Sequence, residues 1–381
     1  MMRPLPPIYP ITNADSDLSL AAQIARYGGA GMALVQFRGK PLDVKAQWEQ
    51  LREALTTAHC NGGWPLICVN DRADLAVMAA AEGHRLWGLH LGQGDLPHAE
   101  ARGLPGLGGL RLGASTHGPE EWGTLGAKVD HAGLGPFRAT GTKPDHEAPT
   151  GLDGLAAGCA ALRAKGVAPI AIGGLTVADA EACFRAGAES LAMIGEAARA
   201  ADPAALGWAV QQARLRVRPF DFSRGVMLAG SSGAGKSTTG ARLAERLGLP
   251  FHDLDKVVER AEGLPIAAIF ARHGEAAFRD MEDRHLVPLL AQPSVIAMGG
   301  GAWEIDTVRA AVAASGFLAL WLAEPPAVCW ARVHADPARP LARDQEAFMD
   351  RHRARMRRWS ELPSVSSFGR SPAELARAMT P

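Results

Sequence analysis

From residue 8 to about residue 195 the chain repeats one pattern: a short apolar run, then a longer stretch with Ala and Leu at helical spacing and Gly or Pro near its ends. The runs are IYPIT (8–12), MALVQFR (32–38), PLICVN (65–70), LWGLHLG (86–92), LRLGAST (110–116), VDHAGLG (129–135), APIAIGG (168–174) and SLAMIG (190–195). Most are continuous rather than alternating, as strands buried on both faces of a parallel sheet require. Helix-like segments between them include 15–27, 41–59 and 151–165. Eight such units predict a closed (β/α)8 TIM barrel, with an open doubly wound sheet as the alternative.

The rhythm breaks at QQARLRVRPFDFSRG (211–225), a basic, Pro-containing segment, and then restarts with VMLAG, a glycine-rich loop and a helix-like stretch. Further strands are expected at PFHDLD, SVIAMGG and FLALWL. That order predicts a second α/β domain with a parallel sheet, a P-loop NTPase fold of the nucleoside-monophosphate-kinase type. The expected division is a barrel over 1–215, a linker over 216–223 and a P-loop domain over 224–381.

Composition adds exclusions. Forty basic and forty acidic side chains leave no net charge, so nothing suggests a nucleic-acid or membrane partner. Five scattered cysteines without a CxxC pair suggest neither a disulfide framework nor a zinc site. The start lacks an apolar signal core, and a cytoplasmic location is expected.

In a barrel the active site forms at the carboxyl ends of the strands. Those ends carry Gln36, Arg38, Lys40, Asn70, Asp71, Asp95 and Ser115; the loop after strand 6 carries Thr140, Thr142 and Lys143, and strands 7 and 8 end in Gly173, Gly174 and Gly195. Cations, two separate carboxylates and glycine turns suit a ligand with several phosphates and a divalent metal. His117 reads as a surface or packing residue. The stretches YPIT, VQFRGK, VNDRADLAV, GLHLGQGDLP, LGASTH, GLGPFRATGTK and PIAIGGLT resemble thiamine phosphate synthase in its own order. The resemblance implies Mg2+ on Asp71 and Asp95, and pyrophosphate on Arg38, Lys40, Asn70, Ser115 and Lys143, with Arg38 and Lys143 catalytic. It also implies pyrimidine on Gln36, the thiazole side on Thr140 and Thr142, and the thiazole phosphate on Gly174, Ile194 and Gly195. Two positions depart from that family's pattern: Gly39 replaces a polar residue, and Gly195 stands where Ser is frequent. The retained Asp95 favours a synthase over the related thiazole tautomerases.

GSSGAGKS fits GxxxxGK[ST] between a strand and a helix, the context in which backbone N–H groups cradle phosphates. Gly230, Gly233, Ala234, Gly235, Lys236, Ser237 and Thr238 are the expected ATP-binding set, with Lys236 on the β/γ oxygens and Ser237 on Mg2+. FHDLD puts Asp253 and Asp255 on one face of a strand end, one to assist the metal and one to meet a substrate hydroxyl. Downstream, Arg279 in FRDME, the GGG turn, Arg339 in RPLA and Arg355 in RARMRRW resemble shikimate kinase in order and spacing. The resemblance implies Asp255 as the group that polarises the hydroxyl, Arg279 and Arg355 as a clamp on the substrate carboxylate, Gly299, Gly300 and Gly301 as backbone donors, and Arg339 as a lid residue on ATP. Trp359 stands where that family usually has Tyr. The other arginines around Arg355 read as a solvated helix face.

Together the resemblances imply a bifunctional transferase. One half would join a pyrimidine pyrophosphate to a thiazole phosphate, and the other would use ATP to phosphorylate shikimate, each with Mg2+ and small-molecule partners. Two alternatives stay open: one half is a ligand-sensing or scaffolding module, or the kinase acts on another hydroxy acid such as gluconate. Homo-oligomerisation is also left open.

Overall fold

The structure is a computed structural model that describes residues 2–126, 129–139, 148–336 and 339–380. Its contacts divide the chain into two compact units, one ending at Arg218 and the other beginning at Pro219. The last helix of the first unit, Pro203–Val217, starts at its N-cap Asp202, whose carboxylate accepts from the N–H groups of Ala204 and Ala205.

The first unit holds eight parallel strands: β1 (Ile8–Pro10), β2 (Leu34–Phe37), β3 (Leu66–Asn70), β4 (Gly88–Leu91), β5 (Arg111–Thr116), β6 (His131–Leu134), β7 (Ala168–Ile172) and β8 (Ser190–Met193). Each pairs with its sequence neighbour, and β1 pairs with β8. The ring closes through a parallel bridge between Ile11 and Gln36, where the Thr12 N–H donates to the Gln36 carbonyl at 3.0 Å. That closure excludes the open doubly wound alternative. Helices connect the strands, and one of them, Val44–Cys60, begins behind the side-chain cap Asp43. The helix expected over 15–27 instead runs Leu20–Gly29 behind the cap Ser19. Asn13, Asp15 and Ser16 form local turns, and Gln23 bonds the carbonyls of Asn13 and Leu18, so that segment is a tethered loop.

The second unit is a five-stranded parallel sheet in the order β10-β11-β9-β12-β13. Its strands are β9 (Val226–Ala229), β10 (Phe251–Asp253), β11 (Val295–Ala297), β12 (Leu318–Leu322) and β13 (Ser364–Val365). The edge strand β13, two residues long and preceded by Pro363, is too short to read as a strand in the sequence. Because β9, β10 and β11 are adjacent and parallel, the loops after them gather at one edge of the sheet.

All five cysteines are unpaired, and no helix among the described residues is long and apolar enough to cross a membrane. Trp359 does not face a pocket: it is 1% exposed, stacks on Trp321 at 6.4 Å and meets His352 edge-on at 5.3 Å. The missing tyrosine hydroxyl is therefore a matter of core packing. Trp359→Ala should lower the stability of the second unit by about 3–5 kcal/mol in urea unfolding. An unchanged midpoint would contradict this placement.

Candidate active sites

The carboxyl ends of β1–β8 surround a cavity of about 850 Å3. Gln36, Arg38, Lys40, Asn70, Asp71, Asp95, Ser115, Gly174, Ile194 and Gly195 all line it. Thr140, Thr142 and Lys143 lie outside the described residues. Lys40 Nζ is 2.5 Å from Asp71 Oδ2, and Asp95 Oδ2 accepts the Gly92 N–H at 2.6 Å. Burial and the neighbouring Asp71 carboxylate raise the Asp95 pKa against the opposing Gly92 bond. Two carboxylates held this close form an oxygen donor pair of the kind that suits Mg2+. No cluster of three His, Cys, Asp or Glu side chains able to hold a metal occurs among the described residues.

Gly39 has a local reason. A Cβ there would stand 2.6 Å from Gln47 Cγ, so the glycine admits the Gln47 side chain, whose amide bonds the Leu42 carbonyl at 2.7 Å. Gly173 and Gly174 both have left-handed φ angles, 97° and 65°, and shape the turn after β7. His117 lines the cavity, with Nδ1 3.2 Å from Glu121 Oε2.

Among the further groups on the cavity that sequence reasoning passed over are Tyr9, Gln93 and His90. Tyr9 accepts from Gln36 Nε2 at 3.2 Å, and Gln93 Nε2 donates to the Ser115 carbonyl at 2.7 Å. His90 Nε2 lies 3.1 Å from Ser115 Oγ, and burial pushes the His90 pKa down to about 4, so its ring is neutral at pH 7. His90 sits inside an apolar run, LWGLHLG, and that polar residue in a buried strand was the available signal.

In the second unit the P-loop follows β9, with Gly230, Gly233 and Gly235 at φ of 139°, 84° and 91°. A Cβ on Gly233 would stand 2.2 Å from the Cys329 carbonyl, so this position is closed to any side chain. Lys236 opens the helix Lys236–Leu247 and folds back on its own loop, donating to the carbonyls of Gly230 at 2.9 Å and Ser231 at 2.8 Å. Burial lowers its pKa to about 8, and the nearby Asp255 carboxylate works against that fall. Ala234 is buried, and Thr238 is exposed in the first helical turn. Ser237 Oγ donates to Asp253 Oδ2 at 2.5 Å, which makes a second all-oxygen pair suited to Mg2+.

The two acidic residues of FHDLD are divided differently from the expectation. Asp253 ends β10 and caps the helix Leu254–Glu262, while Asp255 lies in that helix's first turn and not on the strand. The cap bond, Lys256 N–H to Asp253 Oδ1 at 3.4 Å, turns the chain into helix before a second strand residue can face the same way. Asp255 lines a separate cavity of about 310 Å3 with Ser232, Asp253, Arg279, Gly299, Gly300, Gly301, Arg339 and Arg355. Burial and then the Asp253 charge raise its pKa, against Lys236 and Arg339.

Arg279 and Arg355 meet over the glycine turn. A Cβ on Gly301 would lie 2.4 Å from Arg279 Nη2 and 2.8 Å from Arg355 Nη2. Burial and the Arg279 charge lower the Arg355 pKa. Arg279 is held from behind by Glu282 at 2.5 Å and Glu275 at 2.7 Å, while Arg355 has Glu304 at 3.6 Å. Arg339 Nη1 donates to Ser232 Oγ at 2.8 Å. Arg351 also lines the cavity, so it does not belong to the solvated face expected of the surrounding arginines. Its approach to the Leu341 carbonyl holds it there.

Glu282 is fully buried, and burial raises its pKa from 4.5 to about 7 despite Arg279. The folded state therefore holds that proton more tightly than the unfolded chain. The associated stability is present below about pH 4.5 and is lost as pH rises through about 7. Relative to Glu282→Gln, the wild type should lose on the order of 3 kcal/mol across that window, read by urea unfolding at each pH. Parallel pH profiles would contradict this.

The thiamine monophosphate synthase family model matches residues 8–197, and the shikimate kinase family model matches residues 232–368. A shikimate kinase of Bradyrhizobium diazoefficiens is 45% identical over 120 residues, which cover 31% of this chain and 58% of that protein. The match thus spans less than two thirds of that relative's length. A thiamine phosphate pyrophosphorylase structure from Pyrococcus furiosus is 23% identical, with a TM-score of 0.46, covering 56% of this chain and 97% of its own. A shikimate kinase structure from Acinetobacter baumannii, in complex with shikimate, is 28% identical, with a TM-score of 0.39, covering 44% of this chain and 93% of its own. The chain thus carries a region that matches the thiamine monophosphate synthase family model, followed by a region that matches the shikimate kinase family model.

Proposed function

We propose that the chain is a bifunctional transferase. The barrel joins hydroxymethylpyrimidine pyrophosphate to thiazole phosphate, giving thiamine phosphate and pyrophosphate. The P-loop unit transfers the terminal phosphoryl group of ATP to the 3-hydroxyl of shikimate. The observation that carries the kinase reading is the pair of guanidinium groups converging at Gly301 on the same cavity as Asp255.

Two forks on one carboxylate fix a ring in position and orientation before phosphoryl transfer. Asp255 then accepts the proton of the attacking hydroxyl, and its raised pKa brings it nearer the range in which a general base works. Lys236 leaves its loop carbonyls for phosphate oxygens, and Arg339, resting on Ser232 of the P-loop, adds a cation beside the transferred group. Mg2+, held by Ser237 and Asp253, would supply neutralising charge to the phosphates.

In the barrel, Arg38, Lys40, Asn70, Ser115 and Lys143 take the pyrophosphate, and Asp71 and Asp95 would hold Mg2+, which would supply further positive charge. Gln36 meets the pyrimidine. Its Nε2 is turned to Tyr9, which leaves its carbonyl oxygen to accept from an amino group. As the leaving group departs, charge on the pyrophosphate grows and the fixed cations stabilise it. Gly174, Ile194 and Gly195 receive the thiazole phosphate, and Thr140 and Thr142, outside the described residues, are proposed to meet the thiazole.

A coupled ADP-release assay with shikimate tests the kinase half. Wild type should turn over, and Asp255→Ala should lose at least about a hundredfold in kcat. No turnover with shikimate while ATP still binds would overturn the assignment in favour of another hydroxy acid or a sensing role. For the barrel, Asp71→Ala or Asp95→Ala should abolish thiamine phosphate formation and leave the kinase rate unchanged. Unaffected synthesis in both variants would refute the metal assignment.

A further inference from the structure

Gly195 has an ordinary backbone, with no left-handed φ that would call for glycine. What its missing side chain provides is room. A Cβ there would stand 2.9 Å from Nη1 and 3.3 Å from Nη2 of Arg199, whose guanidinium lies across the turn after β8. Arg199 borders the barrel cavity beside Gly195. Its side chain is 76% exposed, and its nearest carboxylate, on Glu196, is 3.9 Å away. Glu196 is itself engaged, since its Oε1 accepts the Val177 N–H at 3.4 Å. Among the described residues no hydrogen bond ties this guanidinium, and its donors stand at the mouth of the cavity.

We propose that Arg199 binds the phosphate of the second barrel substrate and sets its specificity, so that a phosphorylated acceptor is preferred over the same acceptor without phosphate. This rests on the synthase reading of the barrel. A guanidinium can meet two phosphate oxygens at once, and the glycine leaves room for that fork beside the turn. The Glu196 carboxylate beside it would repel a phosphate, and Arg199 screens that charge as well.

Arg199→Ala and Arg199→Lys should be assayed at saturating pyrimidine pyrophosphate with thiazole phosphate and with its dephosphorylated alcohol. Arg199→Ala should raise the KM for thiazole phosphate about tenfold, the scale of one charge-assisted contact, with the loss confined to KM. The alcohol should be unaffected, and Arg199→Lys should recover part of the loss. A KM for thiazole phosphate unchanged within about twofold, or an equal loss with the alcohol, would overturn the inference while the synthase reading stands. If the wild type makes no thiamine phosphate, the synthase reading fails. Calorimetric titration with thiazole phosphate then decides the arginine: tighter binding by wild type than by Arg199→Ala supports it, and equal or absent binding overturns it.

Discussion

At Gly299 a Cβ would stand 2.0 Å from Glu282 Oε1 and 2.8 Å from Asp255 Oδ1, and at Gly301 it would strike both Arg279 and Arg355. Two carboxylates and two guanidinium groups thus crowd onto one short turn because that turn carries no side chains. The barrel repeats the device with Arg199 over Gly195. Gathering like charges in a partly dry pocket is costly, and each group must be fixed from behind for the arrangement to survive. Glu282 and Glu275 fix Arg279, Lys40 fixes Asp71, and the Gly92 N–H fixes Asp95.

The same crowding tunes the chemistry. Burial pushes Lys236 down to about 8 and Glu282 up to about 7, and it raises Asp255. Lys236, a cation that burial disfavours, would regain part of that cost from an anionic ligand such as a phosphate. Parallel strands make the placement possible, because the loops after β9, β10 and β11 emerge side by side, as do those of the closed ring β1–β8.

Much of this was legible in the sequence because it is written in local pattern. The eight apolar runs marked the barrel strands, and the glycine-rich loop before Lys236 marked the phosphate cradle. Less legible was whatever depends on how a side chain turns after its backbone is placed. Asp255 was assigned to a strand because Asp253 precedes it by two, yet the Asp253 cap starts a helix between them. Arg351 looked like its solvated neighbours until helical rotation carried it to the cavity. His90 lies inside a buried strand, where local pattern does not mark it as a site residue, and Trp359, a Trp where Tyr is usual, packs in the core. Gly195 looked like a simple loss of hydroxyl, and only the folded chain reveals Arg199 in the space it leaves.

The central claim is that one chain holds two separate anion-binding active sites. Calorimetric titration of a single wild-type preparation tests it most directly, first with shikimate and then with thiamine phosphate, each with and without the other present. Two saturable isotherms are predicted, each with one site per chain and each unaffected by the other ligand. The absence of heat for either ligand, or competition between them for a single site, would contradict the account.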